Sequence, residues 1–144
     1  DLCGIEIEVN TDKVIGGFWC KNMPLKWQRI TEFPSPLSLH QTHSSYGLTW
    51  TLDKPHDWLK SLYGNWRLPD PDFDTTIGAC NLRSFGVLCE CYALQRIDLH
   101  WGRGNLKKAL SLTRQSLQHL PTDPLLIEIE VHLVCAIKGC EEVL

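Results

Sequence analysis

Two groups of side chains carry chemistry by type and spacing. Glu6 and Glu8 sit in Ile5-Glu6-Ile7-Glu8-Val9, where strict alternation puts both carboxylates on one face of a strand. Two carboxylates so placed can hold a divalent cation, although the spacing alone favours a solvated strand face. Tyr63, Trp66 and Arg67 follow a short amphipathic segment. The two rings can stack on a base or a sugar while the guanidinium meets a phosphate with two parallel hydrogen bonds, or both rings can plug a core beneath a turn. Asp70, Asp72 and Asp74 alternate along a stretch ruled by Pro69 and Pro71. They lack the glycine and terminal glutamate of a calcium loop, so a proline-stiffened acidic turn is the preferred reading. His40 and His43 have no neighbouring ligands to complete a zinc site and read as loop histidines.

The elements that must position these groups follow from periodicity and punctuation. Leu2 to Val9 reads as a strand with Ile5, Ile7 and Val9 buried and both glutamates on the other face. Residues 10–13 form a turn, and Val14 to Cys20 returns as a strand. Residues 25–36 make an extended run closed by Pro34 and Pro36. Leu37 to His40 and Tyr46 to Leu52 are strand-like pieces around the polar bend 41–45. Asp53 is a candidate cap and Pro55 a first-turn residue for a helix that presents Trp58, Leu59 and Leu62 on one face and stops at Gly64.

From Phe85 the pattern turns helical, running to Trp101 and broken by Gly102 and Gly104. A second helix over 105–120 ends at Pro121. A third over 124–138 is capped by Asp123 and closed by Lys138-Gly139. The short connection predicts that the last two helices are antiparallel, with their leucine faces in contact.

The chain has 144 residues, of which 43% are hydrophobic and 22% charged, so it can bury a core as one domain. No segment approaches the roughly 20 apolar residues of a membrane span. The formal charge of −3 and the absence of a basic stripe speak against a surface that coats a nucleic acid polymer. Cys3, Cys20, Cys80, Cys89, Cys91, Cys135 and Cys140 are scattered and odd in number, which predicts free thiols in a reducing compartment, here read as cytoplasmic. No signal peptide precedes Asp1 and no initiating Met is present, so a processed, trimmed or incomplete chain is expected.

The order Phe33-Pro34-Ser35-Pro36-Leu37, Tyr46-Gly47-Leu48-Thr49-Trp50, Lys54-Pro55, Trp58-Leu59 and Tyr63-Gly64-Asn65-Trp66 with a Pro-rich turn resembles the LicD/fukutin family. These are nucleotidyltransferase-fold enzymes that move phosphate-linked groups onto glycans. The similarity covers about residues 1 to 82. It implies a strand carboxylate, matching Glu6 or Glu8, that holds magnesium. It further implies a nucleotide-activated donor, a sugar acceptor, and a pocket shaped by Tyr63, Trp66 and Arg67.

Two features depart from the family. Its upstream Asp-x-Asp has no counterpart before Glu6, and Gly16-Gly17 is followed by Phe18-Trp19 where that fold has Ser or Thr. The resemblance therefore implies the later part of a catalytic domain. Further on, Gly104-Asn105-Leu106-Lys107-Lys108-Ala109 with Leu117, Leu120-Pro121 and Asp123-Pro124 resembles the second half of a tetratricopeptide unit.

Together these readings predict an α+β fold: a small, mostly antiparallel sheet followed by a C-terminal helical hairpin plus one helix. A soft boundary near residue 84 separates a transferase-like region, 1–84, from a helical tail, 85–144. The expected function is transfer of a phosphate-linked substituent from a nucleotide-bound donor to a glycan hydroxyl. The alternative is a non-catalytic module that binds a protein partner through its helical tail.

Overall fold

The computed structural model describes residues 5–8, 11–18 and 24–141. Strands and helices follow one another as an α+β fold. β1 (Ile5–Glu8), β2 (Lys13–Phe18), β3 (Arg29–Phe33) and β6 (Leu82–Ser84) form an antiparallel sheet in the order β1-β2-β3-β6. β4 (Leu39–Ser44) and β5 (Gly47–Leu52) form a separate two-stranded sheet. α1 (Pro55–Tyr63) precedes a long loop. α2 (Gly86–Gly102), α3 (Leu106–Leu117) and α4 (Pro124–Glu141) then make the tail. No helix among the described residues is long and apolar enough to cross a membrane.

Alternation made β1 a strand, and Ile5 and Ile7 pair with Gly16 and Val14 of β2. Their expected burial is overturned, because the two side chains stay 48% and 47% exposed. β1 is the edge of its sheet, so the layer that covers Val14 and Ile30 near the middle does not reach it. Leu2, Val9, Trp19 and Cys20 lie outside the described residues.

Other local expectations shift in the same physical sense. Leu25–Trp27 is a 3-10 turn, and only the residues after it extend into β3. Residues 41–44, read as a bend, belong to β4, and the reversal is the two-residue turn Ser45-Tyr46, with Gly47 at φ 101°. Asp53 does not cap α1. Its carboxylate instead accepts from Ser38 and pairs with His40, tying the two ends of the hairpin together. Pro55 and Gly64 act as expected, with Gly64 at φ 62° donating its N–H to Lys60 O at 2.9 Å.

The helical tail is bounded by its caps. Asn105 Oδ1 accepts from Lys108 N at 3.4 Å, and Asp123 Oδ1 from Leu126 N at 2.8 Å. α3 ends at Leu117, short of the expected 120, while α4 runs past Gly139 to Glu141. The ion pair Arg114 to Glu130 at 2.8 Å near the short connection, with Ile137 late in α4 sharing a cavity with Lys107 and Leu110 early in α3, makes α3 and α4 antiparallel. Leu112, Leu126 and Leu133 are buried between the helices with Cys89, Ala93, Ile97 and Ala109. Ile77, from the loop ahead of β6, belongs to this same core, so the core crosses residue 84.

Candidate functional site

The stretch after α1 folds on its own aspartates. Leu68 N donates to Asn65 O at 3.0 Å, and Asp70 Oδ1 accepts from Asp72 N at 2.9 Å. Asp74 Oδ1 accepts from Thr76 N at 2.9 Å and Ile77 N at 3.2 Å, and its carbonyl from Gly78 N at 2.7 Å. Cys80 N closes the loop on Leu62 O of α1 at 3.0 Å. Asp70, Asp72 and Asp74 thus shape a turn. Among the described residues, no group of three or more His, Cys, Asp or Glu side chains is placed to hold a metal ion.

The turn is held from both sides. Gln115 of α3, itself buried, accepts from Asp74 N at 3.0 Å through Oε1 and donates through Nε2 to Asp72 O at 2.8 Å and Ser111 Oγ at 3.1 Å. Lys108 donates to Pro71 O at 3.0 Å and stands 3.5 Å from Asp72 Oδ1. From α2, Tyr92 donates to Asp74 Oδ2 at 3.4 Å, with Arg96 Nε 4.0 Å from the same oxygen. Arg29 of β3 donates to Thr76 O at 2.8 Å and Thr75 O at 2.7 Å. Cys89 packs beneath, its Sγ 3.3 Å from Thr76 O, and burial pushes its thiol up to about 11.

What this scaffold presents is an open cavity of about 610 Å³ at the C-terminal end of α1. Tyr63, Trp66 and Phe73 give it aromatic walls, and Leu59, Leu68 and Pro69 fill between them. Asn65 and Asp70 are its polar groups. Tyr63 and Phe73 are tilted at 54° with centroids 5.6 Å apart. Trp66 is braced by His56, stacked at 5.2 Å, and by the Arg67 guanidinium 4.8 Å from its ring centre. Tyr63 is 37% exposed, so it lines a surface rather than plugging a core. A concave, mostly apolar site with two polar groups suits a ring with an apolar face and a polar edge, such as a base or a sugar.

Of the residues singled out from sequence, the structure brings Tyr63 and Trp66 together on this cavity and lays Arg67 against Trp66. It does not bring Glu8 there. Glu8 Oε1 accepts from Arg83 at 2.9 Å and Oε2 from Thr11 at 2.9 Å. The Arg83 hydrogen bond, then that of Thr11, holds its carboxyl below the usual range. Lys13 and Glu32 add a second ion pair at 3.2 Å on the same sheet. The side chain of Glu6 lies outside the described residues.

Phe73 and Gln115 are members of the site that sequence reasoning missed. The one available signal was a glutamine three residues after Leu112 on the apolar face of α3. No family model, curated protein or solved structure matches the chain.

Proposed function

We propose that this chain is the later part of a LicD/fukutin-like transferase domain, which moves a phosphate-linked substituent from a nucleotide-activated donor to a glycan hydroxyl. In that reaction the sugar hydroxyl oxygen attacks phosphorus in line and releases its proton to solvent, the bond from phosphorus to the nucleotide oxygen breaks, and the nucleotide leaves with the electron pair. The supporting observation is the aromatic cavity, because the Tyr63-Gly64-Asn65-Trp66 stretch that carries the resemblance also builds its walls. Tyr63 and Trp66 stack on the ring of donor or acceptor, and Asn65 and Asp70 supply hydrogen bonds to its edge. Arg67 steadies Trp66 and adds positive charge at the rim.

Magnesium, which the resemblance implies at Glu6 or Glu8, finds no cage among the described residues. Glu8 is committed to Arg83 and Thr11. No step is therefore assigned to it. The described cysteines Cys80, Cys89, Cys91 and Cys135 are free thiols.

Calorimetric titration with nucleoside diphosphates and with simple sugars tests the reading. Stacking of one base on an aromatic side chain contributes about 1–3 kcal/mol, so Trp66→Ala should weaken the binding of a nucleotide roughly tenfold or more. Binding that Trp66→Ala and Tyr63→Ala leave unchanged would remove the cavity from the function.

The other reading, a protein-interaction module, draws on the exposed Leu125, Ile127 and Val131 of α4. It predicts a partner that Val131→Glu releases and Trp66→Ala does not.

A further inference from the structure

A second cavity of about 540 Å³ adjoins the first, and Asp70 and Phe73 line both. Its chemistry differs. Lys107, Ser111, Arg114 and Gln118 reach it from one face of α3, at the three-, four- and seven-residue spacings that stack side chains along a helix. Among the described residues Lys107 makes no ion pair, unlike its neighbour Lys108, whose ammonium is engaged with Pro71 and Asp72. Arg114 is fixed through Nε on Glu130 at 2.8 Å, a bond that does not use the terminal amino groups of its fork. Against these two cations stand two carboxylates, Glu130, paired with Arg114, and Asp70, one of whose oxygens already accepts from Asp72 N. With Glu130 on Arg114 and Asp70 opposite Lys107 the charges balance, and what the groove offers an anion is hydrogen-bond donors, from Lys107, the fork of Arg114, Ser111 and Gln118, beside a pocket made for a ring.

We propose that this groove between the Asp70–Phe73 turn and α3 is the subsite for the phosphates of a ligand whose ring lies in the aromatic cavity. The class is a nucleoside 5′-diphosphate or its conjugate. The proposal rests on the reading of the aromatic cavity as a ring site and adds where the anionic half goes. It makes the helical tail part of the binding site, with Lys107 and Arg114 as direct ligands of phosphate oxygens. Gln115 is a positioning residue that holds the shared wall.

The test is calorimetric titration of the full chain with the 5′-diphosphates of adenosine, guanosine, cytidine and uridine, with the four nucleosides, and with inorganic pyrophosphate. Lys107→Ala, Arg114→Gln and the double variant are compared with Trp66→Ala. Both basic side chains are at the surface, Arg114 58% exposed, and thermal melts verify that the variants fold.

At least one diphosphate should bind about 100-fold tighter than its nucleoside. Each basic substitution should weaken it roughly tenfold, and the double variant should bring it down to the affinity of the nucleoside, whose own binding stays unchanged. Equal affinity of diphosphate and nucleoside, or a difference that survives the double variant, overturns the subsite and leaves the ring cavity standing. Pyrophosphate binding that needs Lys107 and Arg114, with diphosphate binding indifferent to Trp66→Ala, keeps the anion site and overturns the ring cavity. Binding of none of the probes overturns both.

Discussion

Gln115, which lines the second cavity, decides the shape of the site by holding the turn between the two. Its amide satisfies Asp74 N–H and Asp72 C=O at once. Gln115→Ala leaves both unpaired in a half-buried setting and should cost about 1–3 kcal/mol of stability, read from urea unfolding. Gly78 is small for the same reason, since a Cβ there would lie 2.3 Å from Gln115 Oε1. Gly78→Ala should destabilise by a similar amount, and once Gln115 is already Ala it should cost much less. Strict additivity in that cycle would show that the two positions are not coupled. Cys89 offers an independent reading of the same packing. With its thiol raised from 9.0 to about 11, its thiolate fraction near neutral pH is about 100-fold below that of an ordinary cysteine. Mass spectrometry after brief alkylation should find Cys80, Cys91 and Cys135 modified well before Cys89, and early modification of Cys89 would contradict its burial beneath Thr76.

Between elements, the contact of the α3 C-terminal end with the start of α2 carries a pH dependence. His119 stacks on Phe85 with centroids 5.3 Å apart, and desolvation holds its imidazole below the ordinary range. His100 of α2 is lowered too, by desolvation first and then by Arg96 and Lys108. As pH falls below about 6.5, the unfolded chain takes up these protons before the folded one does. Stability is therefore fully present above that window and declines as pH drops through it. The thermal midpoint should fall between about pH 7 and 5.5, and His119→Gln should flatten the slope. A slope that His119→Gln does not change would place the titration elsewhere. Glu8 acts lower on the scale. Its depressed carboxyl stabilises the Arg83 contact at neutral pH, and this is lost only as pH falls through the carboxylate range.

At the level of the molecule, one apolar cluster joins the loop to all three tail helices, with Ile77, Leu112, Leu126 and Leu133 essentially inaccessible. The wall of the aromatic cavity thus depends on helices far along the chain. Leu112→Ala should cost about 2–5 kcal/mol. If loop and tail are one cooperative unit, it should also lower ligand affinity at temperatures near its midpoint. Loss of stability with no change in hydrogen exchange at Asp74 and Ile77 would show that the loop is held by Arg29 and the sheet alone. The hairpin of β4 and β5 is different, with exposed residues on most positions of both strands. Substitutions there should leave the core unaffected.

The sequence by itself determined whatever is written within a turn or two of chain. Alternation made β1 a strand, Pro55 and Gly64 bounded α1, and Asn105 and Asp123 began α3 and α4, because caps and periodicity act over three or four residues. Tyr63 and Trp66 were legible as a pair for the same reason. Tertiary structure alone decided which faces are covered. Ile5 and Ile7 alternate as buried residues do, yet they sit on an edge strand. β6 is three residues long and exists through its pairing with β3, some fifty residues earlier. The turn at Asp74 was legible, its Oδ1 accepting from Thr76 N and Ile77 N within three residues, but that Gln115, 41 positions away, takes its backbone N–H was not. Burial and hydrogen-bond satisfaction depend on which groups meet in space, and the distance along the chain between Asp74 and Gln115 leaves no local trace of that meeting.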